Sequence, residues 1–215
     1  MPMTTFDHNG TTGTGYLALP PSGAGRGVLV LHAWWGLTDF FKSVADKVAA
    51  RGYVAFAPDL LMGRTADTPE DAERLINSAE FAPTQATAVA ALEYLRAHPA
   101  VRPGPVAAIG FSFGAAYSVL LATNLPDAID RVVLFYGGSD MDLAAVRARV
   151  QTHFAEDDPY EPLEGVKKIN LPNVEVNIYP GTGHWFVEEN RPQAYNAAAA
   201  ELAWQRAFSF LGQPV

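Results

Sequence analysis

A pentapeptide, Gly110-Phe111-Ser112-Phe113-Gly114, is the segment of this sequence best suited to chemistry. It follows the apolar run at residues 106–109 and precedes an alanine-rich segment typical of a helix. Glycine-any-serine-any-glycine in that context is typical of a strand that reverses sharply into a helix and exposes a serine hydroxyl at the turn. The glycines leave space for the reversal, which holds the serine in strained backbone geometry. We therefore predict that Ser112 is a nucleophile.

A serine hydroxyl needs a base, and His184 is the best-placed histidine. It lies in the glycine-rich loop at residues 180–185, after the last apolar run, where hydrolases with this turn carry their histidine. His32 follows an earlier apolar run and is the alternative candidate for the base. A histidine there can instead link loops by hydrogen bonds. His153 lies inside a predicted strand and is more typical of a packed side chain. His8 and His98 are less suitably placed.

The base in turn needs a carboxylate that fixes its tautomer and stabilises the imidazolium formed in the transition state. Asp157 is our first choice, because it follows the strand predicted at 150–155 and completes the chain order Ser, Asp, His. The alternatives are its two neighbours and two residues after the preceding strand: Glu156, Asp158, Asp140 and Asp142.

Two backbone amides are candidates for binding a developing oxyanion. The Phe113 amide opens the helix after the serine, where the helix dipole is favourable. The second donor is expected in the loop after residues 28–31, at the Trp34 amide or at its neighbour Ala33. Aromatic residues border these loops and suggest pocket walls, although each could equally belong to the core: Trp35, Phe111, Tyr160 and Trp185.

The elements that must position these residues alternate along the chain. Apolar runs at 28–31, 51–58, 106–109, 131–136, 150–155 and 174–179 predict strands, and segments at 40–50, 83–97, 115–123 and 192–211 predict helices. This alternation predicts an α/β fold, a mostly parallel central sheet with helices on both faces, in a single domain over 1–215. Residues 11–19 are expected to form an edge strand in a hairpin. Residues 64–81 fit a small lid or, more readily, a solvated amphipathic helix.

Composition excludes several functional classes. The net charge of −8, from 23 acidic and 15 basic residues, disfavours nucleic acid and anionic membrane surfaces as partners. With no cysteine, thiolate metal sites and a cysteine nucleophile are impossible. The first residues show no signal peptide, and no apolar run reaches the roughly 18 residues of a membrane span. We predict a cytoplasmic protein, either a monomer or a homodimer.

With the serine turn, Asp157 and His184, the segments 27–37, 49–60 and 179–186 make the chain resemble the dienelactone hydrolase family over nearly its full length. The resemblance implies an α/β-hydrolase fold without a large cap domain, action on small esters or lactones, and no metal or organic cofactor.

Three positions depart from the best-known members of that family. Ser112 replaces their cysteine, Ala33 replaces a glutamate linked to the triad, and Glu188 replaces an arginine that binds the substrate carboxylate. A neutral ester or lactone is therefore expected rather than an anionic dienelactone.

The leading hypothesis is a serine hydrolase that cleaves small carboxylic esters or lactones through a Ser-His-Asp triad and an acyl-enzyme. A thioesterase, peptidase or acyltransferase would use the same triad. A non-catalytic scaffold that binds a small ligand is the alternative from another class, and the full Ser, Asp, His order argues against it.

Overall fold

The structure is a computed structural model and describes residues 3–212. Its strands are β1 (Met3–His8), β2 (Thr11–Ala18), β3 (Gly27–Leu31), β4 (Val54–Pro58), β5 (Val106–Phe111), β6 (Ile129–Phe135), β7 (Arg149–Asp157) and β8 (Val174–Gly183). Its α-helices are α1 (Asp39–Ala49), α2 (Pro69–Asn77), α3 (Phe81–Ala97), α4 (Phe113–Asn124), α5 (Leu163–Val166) and α6 (Ala197–Leu211).

The strands form one mixed eight-stranded sheet with helices on both sides and no large cap, as predicted. The described residues divide into two compact units, 3–108 and 109–212. None of the helices within residues 3–212 has the length and apolar content needed to cross a membrane. Location in the cytoplasm, and the choice between monomer and homodimer, stay predictions.

In the first unit the strand order is β1-β2-β4-β3. β1 and β2 form an antiparallel hairpin, β2 is antiparallel to β4, and β3 is parallel to β4. The edge of this unit's sheet is therefore β1, and the prediction that residues 11–19 are the edge strand is wrong. The hydrophobic pattern that would predict a strand is weak in β1, because only Phe6 of this strand is buried.

Helices cover both faces of this part of the sheet. The Tyr16 hydroxyl donates to Asp46 of α1 at 3.0 Å, and the Phe56 ring lies 4.9 Å from the ring of Tyr94 in α3. Phe56 pairs with Leu17, the residue next to Tyr16. Since adjacent strand residues point to opposite faces, α1 and α3 lie on opposite sides of the sheet.

Residues 64–81 contain a helix, α2, rather than an extended loop. The Thr68 side chain caps it by accepting a hydrogen bond from the Asp71 amide at 3.2 Å. Ala72 is the buried residue of this helix, and the polar side chains around it are exposed. The interpretation as a solvated amphipathic helix fits this burial pattern.

In the second unit β6, β7 and β8 are parallel neighbours, with α4 against β6 and with α5 and α6 against β7. The Phe111 ring stacks on Phe135 at 4.8 Å, and Trp204 of α6 lies 4.9 Å from Phe135. This aromatic core supports the carboxyl ends of the strands. Because parallel strands end at the same edge of a sheet, the loops after β6, β7 and β8 meet there.

The backbone of the serine turn passes very close to Gly137, just after β6. A methyl group on Gly137 would lie 2.7 Å from Cβ of Ala115 and 2.9 Å from the carbonyl oxygen of Ser112. Real side chains almost never make such contacts, so a glycine is required here for packing.

We expect Gly137→Ala to destabilise the protein by about 1–3 kcal/mol, because the methyl group overpacks the turn. The matched control is Gly165→Ala in α5, where the nearest atom to an added methyl group, Ser139 Oγ, is 4.0 Å away. Urea unfolding measures both. Equal free energies of unfolding for the two variants would contradict this packing argument.

Candidate active site

Ser112 lies between β5 and α4 with φ 47° and ψ −111°, a conformation that non-glycine residues rarely adopt. Its amide donates to the Phe135 carbonyl at 3.0 Å, which holds the turn on the end of β6. The side chain is partly exposed. α4 begins at Phe113, so the Phe113 amide is in the first turn, where helix amides have no intrahelical acceptor. The strand, turn and helix are as predicted.

Three side chains of the second unit form a continuous chain of hydrogen bonds. His184 follows the end of β8, and its Nε2 lies 3.0 Å from Ser112 Oγ. Its Nδ1 lies 2.7 Å from Asp158 Oδ2. The Asp158 side chain is fully buried and the His184 side chain is 4% exposed. The structure thus brings Ser112 and His184 together as predicted, with a third partner that differs from our first choice.

The carboxylate that contacts His184 belongs to Asp158, so the preference for Asp157 as its partner is wrong. The pairing of β7 with β8 is irregular between Ala155 and Asp157, and Asp157 is exposed at the strand end. A one-residue difference in a strand turns a side chain to the other face. Asp158 Oδ1 also accepts from the amides of Tyr160 at 2.9 Å and Glu161 at 3.2 Å, which orients the carboxylate.

The other acidic candidates have different roles. Glu156 accepts a hydrogen bond from the Gly181 amide at 2.9 Å. Asp142 caps a short 3-10 helix by accepting from the Ala144 amide at 3.2 Å. Asp140 is exposed in the loop after β6.

These contacts assign the protons of the chain. An ionised carboxylate only accepts hydrogen bonds, so His184 Nδ1 carries the proton and donates it to Asp158. In the neutral imidazole, Nε2 then has a free lone pair. The Ser112 hydroxyl donates to that lone pair, which is the arrangement a general base requires.

Tyr136 is a neighbour of His184 that the sequence reasoning missed. It directly follows β6 with φ 38°, and its ring lies 4.8 Å from the imidazole. Its hydroxyl donates to Glu188 Oε1 at 2.8 Å, and burial together with the Glu188 charge raises the Tyr136 pKa well above its ordinary value. Glu188 is fully buried, so its side chain points into the protein and not outward. A tyrosine followed by two glycines at a strand end was the available signal.

Glu161 fixes the loop that carries Asp158. Its carboxylate accepts from the Ser139 amide at 2.9 Å, which links the loops after β6 and β7. Burial raises the Glu161 pKa, although its hydrogen bonds with Ser139 act in the opposite direction.

Two other histidines are structural, as their alternative interpretations proposed. In the first unit, His32 Nδ1 donates to the Ala33 carbonyl at 2.7 Å, and Nε2 accepts from the Leu60 amide at 3.1 Å. His153 is fully buried and stacks on Phe135 at 4.7 Å. Burial lowers the His153 pKa to about 3. Both side chains stabilise the fold through these contacts.

Only part of the predicted aromatic wall lies beside His184. The Tyr160 and Trp185 rings lie 4.8 Å and 5.2 Å from the imidazole, and both line a cavity of about 420 Å³ together with His184. Phe111 is fully buried and Trp35 is 1% exposed, so both belong to the core and their assignment as pocket walls is wrong. They face inward because apolar residues next to a buried strand end extend the core.

Within residues 3–212, no group of three His, Asp or Glu side chains is arranged to hold a metal ion. The chemistry available to Ser112, His184 and Asp158 is nucleophilic attack assisted by a general base.

Comparison with known proteins identifies the family. The sequence pattern of the dienelactone hydrolase family matches residues 14–215. The chain belongs to this family. As a member of the dienelactone hydrolase family, it is a hydrolase that acts on esters or lactones.

Individual relatives agree with this assignment. A protein of Aquifex pyrophilus named usf is 33% identical over 97% of this chain and 96% of its own length. A protein of Aquifex aeolicus with the provisional name carboxymethylenebutenolidase is 32% identical over 97% of this chain and 96% of its own length. A crystal structure from Klebsiella pneumoniae, provisionally described as a dienelactone hydrolase, covers 99% of this chain and 98% of its own with a TM-score of 0.86. At 21% identity it shows a shared fold.

We expect Asp158→Asn to lower kcat for ester hydrolysis by about 10⁴-fold, because an amide no longer fixes the His184 tautomer. Asp157→Asn removes the same charge one position away on an exposed side chain and should change kcat less than about threefold. Steady-state kinetics on p-nitrophenyl acetate compare them. A larger loss in Asp157→Asn would reverse the assignment of the acid.

Proposed function

We propose that this protein is a serine carboxylic-ester hydrolase in which Ser112 is the nucleophile, His184 the general base and Asp158 the residue that orients His184. The observation that carries this proposal is the unbroken hydrogen-bond chain: 3.0 Å from Ser112 to His184 and 2.7 Å from His184 to Asp158. Because the middle residue accepts from one partner and donates to the other, the proton of the serine has an acceptor ready.

In the proposed acylation step, Ser112 Oγ attacks the carbonyl carbon of the ester or lactone while its proton moves to His184 Nε2. Asp158 stabilises the resulting imidazolium through the hydrogen bond from Nδ1. When the tetrahedral intermediate collapses, the bond to the alcohol oxygen breaks and His184 returns the proton to that oxygen. The acyl group is then held as an ester of Ser112.

The negative charge of the tetrahedral intermediate needs hydrogen-bond donors. The Phe113 amide at the start of α4 is proposed as one of them, supported by its place directly after the nucleophile and by the helix dipole. The Trp34 amide is retained as the second donor on the sequence pattern alone.

In the proposed deacylation step, water takes the place of the alcohol. His184 Nε2 accepts a proton from the water as its oxygen attacks the acyl carbon, and then returns the proton to Ser112 Oγ. The carboxylic acid leaves and the starting hydrogen bonds are restored. For a lactone, the alcohol and acid groups are in one product molecule.

We propose that the preferred substrates are neutral. Asp157 is exposed on the wall of the cavity beside His184, and none of the described residues that line this cavity is an arginine or a lysine. A substrate carboxylate in this cavity would therefore meet like charge without a compensating cation.

Ser112→Ala is expected to reduce hydrolysis of p-nitrophenyl acetate to background, a loss on the order of 10⁶-fold, because no nucleophile remains. The matched control is Ser118→Ala, the same deletion in the helix that follows Ser112, where the hydroxyl donates back to the Gly114 carbonyl at 2.9 Å. It should retain activity.

Retention of most activity in Ser112→Ala would contradict the assigned nucleophile. A folded wild-type protein without activity on esters, lactones or thioesters would favour a ligand-binding scaffold. Product analysis with an added alcohol or amine separates hydrolysis from acyl transfer.

The substrate charge is tested with a matched pair of similar length, p-nitrophenyl butyrate and mono-p-nitrophenyl succinate. We expect kcat/KM to be about tenfold lower for the anionic ester, from repulsion of about 1.4 kcal/mol. Asp157→Asn should narrow this ratio. Faster turnover of the succinate by the wild-type protein would contradict the preference for neutral substrates.

A further inference from the structure

A cluster of three arginines lines a second cavity of the second unit, with a volume of about 320 Å³. Arg131 and Arg149 are register partners near the beginnings of β6 and β7, and Arg206 lies in α6. Asp157, at the other end of β7, is eight residues from Arg149, which corresponds to about 26 Å along a strand. The cluster is therefore remote from the Ser112–His184–Asp158 chain.

The three guanidinium groups form no ion pair with a carboxylate in the part of the chain that the structure describes. Arg131 Nε is also buried and lacks a hydrogen-bond partner there. By contrast, Arg147, two positions before Arg149, lies 3.6 Å from Asp127. The protein has 23 acidic and 15 basic residues, so cations without carboxylate partners are unexpected. Converging cations repel one another, and a bound anion would relieve that repulsion.

Aromatic rings hold the arginines in place. The guanidinium groups of Arg131 and Arg149 lie 5.7 Å and 5.2 Å from the centre of the Phe210 ring. Arg206 lies 5.4 Å from the centre of the Tyr179 ring. Cation–π contacts restrict these side chains and reduce the entropy lost when an anion binds.

Hydrogen bonds already occupy the polar side chains beside Arg206. The Tyr179 hydroxyl, beside Arg206, donates to His153 Nδ1 at 2.8 Å. His153 Nε2 then donates to Gln151 Oε1 at 2.9 Å, and the Gln151 amide donates to Glu175 at 2.9 Å. The low pKa of His153 is consistent with this neutral tautomer. Only the guanidinium groups are left to recognise a ligand by charge.

Glu175 is the one carboxylate among the described residues that line the cavity. Its Oε1 accepts hydrogen bonds from the side-chain amides of Gln151 at 2.9 Å and Asn177 at 3.2 Å. Three arginines and one glutamate leave a net charge of +2 in the cavity wall, which matches a dianion.

We propose that this cavity is a binding site for a phosphate group, separate from the candidate active site. The planar forks of Arg131, Arg149 and Arg206 match the geometry of phosphate oxygens, which accept bidentate hydrogen bonds. A volume of about 320 Å³ exceeds that of inorganic phosphate and admits a phosphate monoester.

The test is calorimetric titration with inorganic phosphate at an ionic strength held constant with chloride. We expect one site, with affinity at least about tenfold weaker in Arg131→Gln and Arg149→Gln, because each removes a charge-assisted hydrogen bond. Arg147→Gln, the neighbouring control, should bind like the wild type. Glu175→Gln should bind more tightly, because it removes the opposing charge.

Each variant is first melted without phosphate, and only variants with a wild-type-like transition are compared. The gain in Glu175→Gln cannot result from a folding defect. Ser112→Ala should bind phosphate normally, which separates this site from the triad. A parallel titration with glycerol 3-phosphate separates the two sources of the group: tighter binding indicates a phosphate monoester, and equal binding indicates the free ion. No saturable binding, or equal affinity in Arg131→Gln, Arg149→Gln and Arg147→Gln, would overturn the proposal.

Discussion

The hydrogen bond between His184 and Asp158 is the interaction on which the candidate active site depends. It places the imidazole proton on Nδ1. The lone pair of Nε2 is then available to accept the proton of the Ser112 hydroxyl. The Asp158 carboxylate is fully buried, so removing it from water is costly unless its lone pairs are satisfied. His184 satisfies one oxygen, and the amides of Tyr160 and Glu161 satisfy the other. The loop after β7 can thus hold a buried charge in one orientation.

Strained backbone accompanies this interaction. Ser112, Tyr136 and Trp185 all have positive φ, at 47°, 38° and 68°. The rings of Tyr136 and Trp185 contact the His184 imidazole, and Ser112 is its hydrogen-bond partner. Such conformations persist only where the surrounding structure enforces them. Here the ends of the parallel strands enforce two of them. The Ser112 amide donates a hydrogen bond to the Phe135 carbonyl, and the Tyr136 amide donates one to the His153 carbonyl.

The sequence was most informative where a local pattern had one geometric solution. The glycines around Ser112 predicted a sharp turn, and the glycine-rich loop around His184 predicted a base. In the structure, Ser112 and His184 are in hydrogen-bond contact. The acid was harder, since three acidic residues follow one another and only the strand register decides which faces inward. The position of Tyr136 beside His184 depends on a positive φ just after a strand, which no single residue type predicts. The burial of Phe111 and Trp35 depends on packing from elements distant in the chain, which apolar patterns do not specify.

Labelling with a fluorophosphonate is the most direct test of the central claim, that Ser112 is activated through His184 and Asp158. The probe reacts with an activated serine without requiring knowledge of the substrate. We predict one adduct per chain, mapped by peptide mass spectrometry to Ser112, with labelling strongly slowed in both Asp158→Asn and His184→Ala. An adduct on another residue, or a labelling rate unchanged in these two variants, would contradict the account.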